Sequence, residues 1–299
     1  MSYLFYCIKK LLKSPAFWAS VVGTAAVCLC SEIYFNSRTN TQETVIGMFA
    51  QYTREAFLED SGLCSYAVFS GGFGVWAAMF APVLAALSPI TIAADERKSG
   101  MWRFSLHRAG RARFCGGSCA FVLIAGGLAI MLGYALFGAL TAVMFPPISA
   151  YSPDKIEMFS AYTFREGSAM SAIFKAGGLP LCVIARLGET FLFGAVSAAA
   201  AMLLSAFCEN KYIVICTPFF LKYSLAQIDS VLLMAAVSDP ENYNEKLKKF
   251  ANIIHPDGAN YFLSYTANVP QIIITNAAFI CLMVLCYCVI RGRRLKNET

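Results

Sequence analysis

Ionisable residues are scarce in this 299-residue chain: only 14% are Asp, Glu, Lys or Arg, while 58% are hydrophobic. That balance, with a mean hydropathy of +0.59, is too apolar for a soluble globular domain. Only two histidines occur, His107 and His255, and no Cys, His or acidic spacing resembles a metal site. The sequence has no Gly-x-x-x-x-Gly-Lys-Ser/Thr phosphate loop, no His-Glu-x-x-His and no paired glutamates on an apolar segment. These absences argue against a nucleotide site on this chain and against an intramembrane enzyme. The apolar runs are continuous rather than alternating, which disfavours a membrane β-barrel. An internal repeat with matching broken helices, the mark of a secondary transporter, is also missing. Twelve cysteines are present, but most, Cys28, Cys119 and Cys288 among them, lie in or beside apolar runs, where Cys behaves as a small hydrophobe.

What the chain does have is a series of long apolar segments. A spanning helix needs about 20 mostly apolar residues, and six segments meet or approach that: 15–34, 69–94, 114–145, 183–207, 212–237 and 269–290. The pattern predicts an all-α integral membrane protein with six transmembrane helices in one domain, residues 15–299. A short amphipathic helix over residues 1–14 precedes it. There Leu4, Phe5, Ile8, Leu11 and Leu12 share one third of the helical wheel and Lys9, Lys10 and Lys13 another, as in a helix lying on a membrane surface. The apolar stretch is long for a cleaved leader and lacks a clear small-residue cleavage site, so it reads as retained. Ser14-Pro15 ends it and starts the first span, with Pro at the first helical position.

Charge orients the chain. Asp95–Arg113 holds Asp95, Glu96, Arg97, Lys98, Arg103, Arg108, Arg111 and Arg113, whereas Gly62–Ala94 and Phe114–Pro153 hold no charged residue. A loop so basic between two membrane-length runs belongs on the cytoplasmic side. Lys9, Lys10, Lys13, Lys211 and the basic tail from Arg291 to Lys296 fall on that side too. The outer loops carry Glu43, Glu55, Glu59 and Asp60, and later Asp239, Glu241, Glu245 and Asp257. Both termini are therefore expected in the cytoplasm, with the protein in the cell membrane. The net charge of +6 is then an inner rim facing anionic lipid and needs no nucleic acid.

The 95–113 loop holds more than an anchor requires. Asp95-Glu96 places acid where a new short helix would start, Gly100 permits a sharp change of direction, and Met101, Trp102, Phe104 and Leu106 add an apolar surface. An amphipathic N-terminal helix, a first span, a second span running into Glu96-Arg97-Lys98-Ser99-Gly100-Met101, then Leu106 and Arg111 before a long third span resembles the permease subunit of ABC-2 type transporters. The resemblance implies that Glu96, Arg97, Gly100, Met101, Trp102, Phe104, Leu106 and Arg111 form the coupling segment for a separate ATPase subunit. ATP and Mg would bind there, with no cofactor or metal on this chain. It further implies export of a hydrophobic or amphipathic substrate by a homodimer, or by a pair with a related permease. The chain departs from the family at Gly117-Ser118, where Gly-Lys is frequent. An ion- or proton-coupled secondary transporter and a non-transporting immunity or assembly protein are the alternatives.

Ionisable residues at membrane depth are candidates for a substrate path. Lys222 lies about 15 Å into a helix starting at Tyr212, and Asp229, seven residues on, shares nearly the same face and is a possible partner. The rival arrangement ends the fifth span early, with both residues in an outer vestibule. Pro218 predicts a kink, and the segment fits either one polar helix or a span followed by a re-entrant helix. Arg186 and Glu189, spaced i,i+3, suit a pair on one face that snorkels at the outer interface. Gly71, Gly72, Gly74 and Ala78 in the second span, and Gly194, Ala198 and Ser205 in the fourth, predict close helix packing.

Overall fold

The computed structural model describes residues 3–36, 40–164, 166–237 and 269–298. Arg38, Arg165, His255 and the acidic residues Asp239, Glu241, Glu245 and Asp257 of the last predicted outer loop lie outside the described residues. The chain is mostly helical. Among the described residues, four helices contain windows long and apolar enough to cross a membrane: Trp76–Lys98, Arg111–Ala150, Ala169–Leu204 and Ile272–Arg293. The protein is accordingly membrane-embedded.

Helix α1 (Tyr3–Lys13) meets α2 (Pro15–Leu29) at a 65° bend. Pro15 has no N–H with which to continue α1, and its fixed φ suits the first turn of α2. Trp18 Nε1 donates to Leu12 O at 2.9 Å, satisfying a carbonyl in the last turn of α1. Cys7 and Leu11 turn inward, Phe5 and Leu12 outward. Helix α2 is shorter than the predicted 15–34 run. Ser31-Glu32 breaks the apolar stretch, and β1 (Glu32–Asn36) pairs antiparallel with β2 (Thr41–Thr44), where Tyr34 and Phe35 suit a strand.

Two short helices follow, α3 (Val45–Gln51) and α4 (Arg54–Glu59), each N-capped by a threonine: Thr44 accepts from Gly47 N and Thr53 from Ala56 N. The predicted second span divides into α5 (Ser65–Gly71) and α6 (Val75–Lys98). Gly72, at the break, could not be larger: a Cβ there would stand 2.1 Å from the Phe137 ring. Then come α7 (Met101–Ala109), α8 (Arg111–Met144), α9 (Pro153–Thr163), α10 (Ala169–Leu204), α11 (Lys211–Val237) and α12 (Val269–Glu298). Helix α10 begins well before residue 183 because it has two limbs, joined at Gly178 (φ 66°) just before Pro180. Helix α11 is continuous through Pro218, Lys222 and Asp229, so the polar-helix form of the fifth segment is the observed one.

Helix α8, about 50 Å long at 1.5 Å per residue, is the axis of the bundle and packs against α2, α6, α10 and α12. Small residues set its closest approach. A Cβ on Gly126 would meet Ala198 Cβ at 2.4 Å, and one on Gly194 would meet Gly126 O at 2.6 Å. Backbones come this near only where side chains are absent, the usual device for helix association in lipid. The predicted Gly194 and Ala198 packing is thus seen between α10 and α8. Helix α12 is peripheral: only 6% of its apolar window is buried, against 56% for each of the other three.

The two ends of α8 differ in chemistry. Around its C-terminus an aromatic cap forms: Phe145 meets the rings of Phe49 and Phe57, and Tyr66 those of Phe159 and Phe164, in edge-on or tilted contacts. Within this cap the Tyr34 hydroxyl donates to Asp60 Oδ2 at 3.0 Å. Burial, then that carboxylate, push the Tyr34 pKa up to about 12. The other end carries the basic α6–α7–α8 elbow.

Candidate functional site

The elbow is three helices, α6 and α7 joined by Ser99-Gly100 and α7 and α8 by Gly110 alone. Gly100 (φ 71°, ψ 0°) ends α6 in the left-handed region, and Gly110 (φ 76°, ψ 156°) stands between α7 and α8 in a region only glycine occupies comfortably. A Cβ at either position would meet nothing within 4 Å, so the backbone itself requires glycine there. The predicted acid–basic–x–x–Gly segment therefore closes one helix and opens the next with no slack.

The nine residues of α7 divide into three faces. Trp102, Leu106 and Ala109 face inward, with Leu106 packed in a small cluster with Phe114 and Cys115. Met101, Phe104, Ser105 and Arg108 form a second face that lines a groove with Leu4 and Tyr6 of α1. Arg103 and His107, both exposed, make the third. Trp102 is held between two guanidinium groups, Arg103 at 5.6 Å and Arg291 of α12 at 5.5 Å from its ring centre. Arg111 is exposed at the start of α8.

Glu96 and Arg97, expected as docking side chains, point into the protein instead. Glu96 is buried and pairs with Lys10 of α1 at 3.2 Å. Arg97 donates to Ser205 O at 2.9 Å. Ser205 is the C-cap of α10, so Arg97 satisfies a helix-end carbonyl and meets the negative end of that helix dipole. These bonds tie the elbow to α1 and α10, as Leu106 and Trp102 tie it to α8 and α12.

The same device recurs through the molecule. Arg186 donates to Ser70 O, in the last turn of α5, at 3.0 Å, and pairs with Glu189 in a contact buried on both sides. Arg186 is 2% exposed, so it does not snorkel to the interface as its spacing and position predict. The unfilled end of α5 lies inside the protein, and a carbonyl without water needs an internal donor. Lys155 Nζ meets Leu58 O at the end of α4 at 2.9 Å.

Lys222 completes the set. Its Nζ donates to Ala78 O at 2.7 Å and lies 4.7 Å from the centre of the Phe193 ring. Ala78 stands four residues before Pro82, inside α6. Proline has no N–H, so it leaves the carbonyl four residues earlier without its helical partner, and Lys222 supplies the donor from α11. A cavity of about 80 Å3 adjoins, lined by Pro82, Phe193, Pro218, Lys222 and Phe279 among others. That space suits a few waters and falls far short of the 300–1,000 Å3 of ligand pockets. Asp229 is buried two turns along α11. The structure thus pairs Arg186 with Glu189 within α10 and sets Lys222 over Phe193, one turn from Glu189, while Arg186 and Lys222 each bond a carbonyl of another helix.

Lys10, Ser205, Arg291 and the Ala78–Pro82 pair were not among the sequence candidates. Of these only Pro82 carried a readable signal, since a proline inside a helix always frees a carbonyl one turn back. Among the described residues no three His, Cys, Asp or Glu side chains come together as a metal site would require. No protein-family model matches the chain, and no curated protein does.

Proposed function

We propose that this chain is the permease subunit of an ATP-driven exporter, with α7 as the part gripped by a separate ATPase subunit. The observation that carries this reading is the elbow. A short helix between two glycine corners packs on α8 and α12 and follows directly on the end of α6, where Glu96 and Arg97 are bonded to α1 and α10. A push on α7 then reaches most of the bundle at once, which is what coupling to an external motor demands. A plain positive-inside anchor needs no such attachments.

In this reading α2, α6, α8, α10, α11 and α12 are the six spans and α1 is an interfacial helix, with both termini and the elbow in the cytoplasm. Helix α2 rises only about 22 Å over 15 residues, so the bilayer thins around it. ATP and Mg belong to the partner, since this chain carries no phosphate loop. With only small spaces beside Lys222, the path for a hydrophobic or amphipathic cargo runs between two permease copies. Docking uses the Arg103 and His107 face of α7.

The test is co-purification with the cognate ATPase. Arg103→Glu with His107→Glu is expected to abolish association while membrane insertion and thermal stability stay unchanged. Normal ATPase association and transport in that variant would overturn the assignment.

A further inference from the structure

We infer that the groove between α1, α7 and the start of α8 binds one anionic phospholipid, its phosphate between Arg108 and Arg113 and its acyl chains along Leu4, Met101 and Phe104. The groove has a volume of about 900 Å3. Phe104 is 73% exposed and Met101 47%, a large apolar surface to leave bare at a polar end of the molecule. Two arginines stand at its rim, and none of its lining residues is acidic.

An apolar floor with a purely cationic rim complements a molecule that is greasy and negative at once. A zwitterionic phospholipid brings a phosphate but also an ammonium group that repels the two guanidinium groups, and a free anion would leave the floor in water. Arginine suits a phosphate because its planar fork donates two parallel hydrogen bonds, and basic pockets beside spanning helices are where anionic headgroups collect. The floor stays open because α8 has glycine there: a Cβ on Gly116 would meet nothing within 4 Å. The site is independent of the ATPase assignment, since the Arg103 and His107 face of α7 points elsewhere.

The probe is phosphatidylglycerol against phosphatidylcholine of the same acyl chains, added to the purified full chain and followed by native mass spectrometry. Phosphatidylglycerol is expected to bind about 25-fold more tightly, roughly fivefold for each arginine. Arg108→Gln with Arg113→Gln erases that preference, and Arg103→Gln leaves it intact. Gly116→Leu fills the floor, strengthens the helix by propensity, and abolishes lipid binding with helix content and thermal stability retained. Equal binding of the two lipids, phosphatidylglycerol binding that survives Gly116→Leu, or its full displacement by excess inorganic phosphate would each overturn the proposal.

Discussion

Lys222 and Pro82 form a pair whose energetics are open to direct measurement. Pro82 leaves Ala78 O without a helical donor, and Lys222 Nζ fills the vacancy at 2.7 Å. In Lys222→Met the stem remains and the donor is gone. Ala78 O, buried among apolar helices, then loses that donor, and water in the adjoining cavity replaces it only in part. A hydrogen bond to a charged group contributes about 1.5–3 kcal/mol, and the ammonium over Phe193 adds about 0.5–2 kcal/mol. Removing the cation also relieves its own desolvation, which offsets part of the loss. The net expectation is a destabilisation of about 2 kcal/mol. Pro82→Ala supplies the missing N–H within α6, so Ala78 O no longer depends on Lys222. In that background Lys222→Met is expected to be close to neutral. The double-mutant cycle, read from SDS unfolding in mixed micelles by tryptophan fluorescence, should return a coupling of about 2 kcal/mol, well beyond the ~0.5 kcal/mol within which independent sites add. Equal cost for Lys222→Met with and without Pro82 would refute the argument.

Four further outcomes are expected. Gly110→Ala costs about 1–3 kcal/mol and Gly100→Ala about 1 kcal/mol by thermal unfolding in detergent; Asn recovers part of the loss at Gly100 and none at Gly110. Glu189→Gln leaves Arg186 as an uncompensated buried charge and lowers stability by about 3–5 kcal/mol, seen as a lower melting temperature and poorer expression. The Cys119 and Cys288 sulfurs stand 3.8 Å apart, so copper phenanthroline should join them within one chain, protecting two thiols from alkylation and fixing α12 to α8. For Tyr34, whose pKa lies near 12 when folded against 10.0 as the ordinary value, the unfolded phenol ionises first. Its contribution is therefore present below pH 10 and lost between pH 10 and about 12. Tyr34→Phe should remove that part of the alkaline stability profile.

Much of the architecture was legible because apolar length and charge are one-dimensional signals. Helices α8, α11 and α12 lie close to the third, fifth and sixth apolar runs, and Gly100 marks a true corner. The failures have physical causes. The first apolar run overshoots its helix because Ile33 and Tyr34 are apolar enough to extend a hydropathy window, yet they serve a strand. The break between α5 and α6 was announced by Gly71, Gly72 and Gly74, which were read as packing residues. The first limb of α10 was hidden by Lys175 and by Gly177-Gly178, which dilute its apolar character. Residues of the elbow were located correctly in sequence but not in orientation: Glu96 and Arg97 are recognisable as charges, and nothing local shows that their partners are Lys10 and Ser205. Arg186 looked like an interfacial residue because the internal end of α5 has no signature along the chain.

The cations that close helix ends have an unequal relation with their acceptors. Every amino acid brings a main-chain carbonyl, so Leu58, Ser70 and Ala78 accept these bonds whatever their side chains, while Lys155, Arg186 and Lys222 have no such freedom; at Ser205 the hydroxyl also accepts from Arg97, at 3.4 Å. A saturation mutagenesis map would show intolerant basic positions facing acceptor positions limited only by packing. Paired substitution statistics would be blind to the Leu58, Ser70 and Ala78 contacts, because the acceptor side of each has nothing to co-vary. Joints of this kind let a bundle drift in sequence over most of its surface while its helices stay in register.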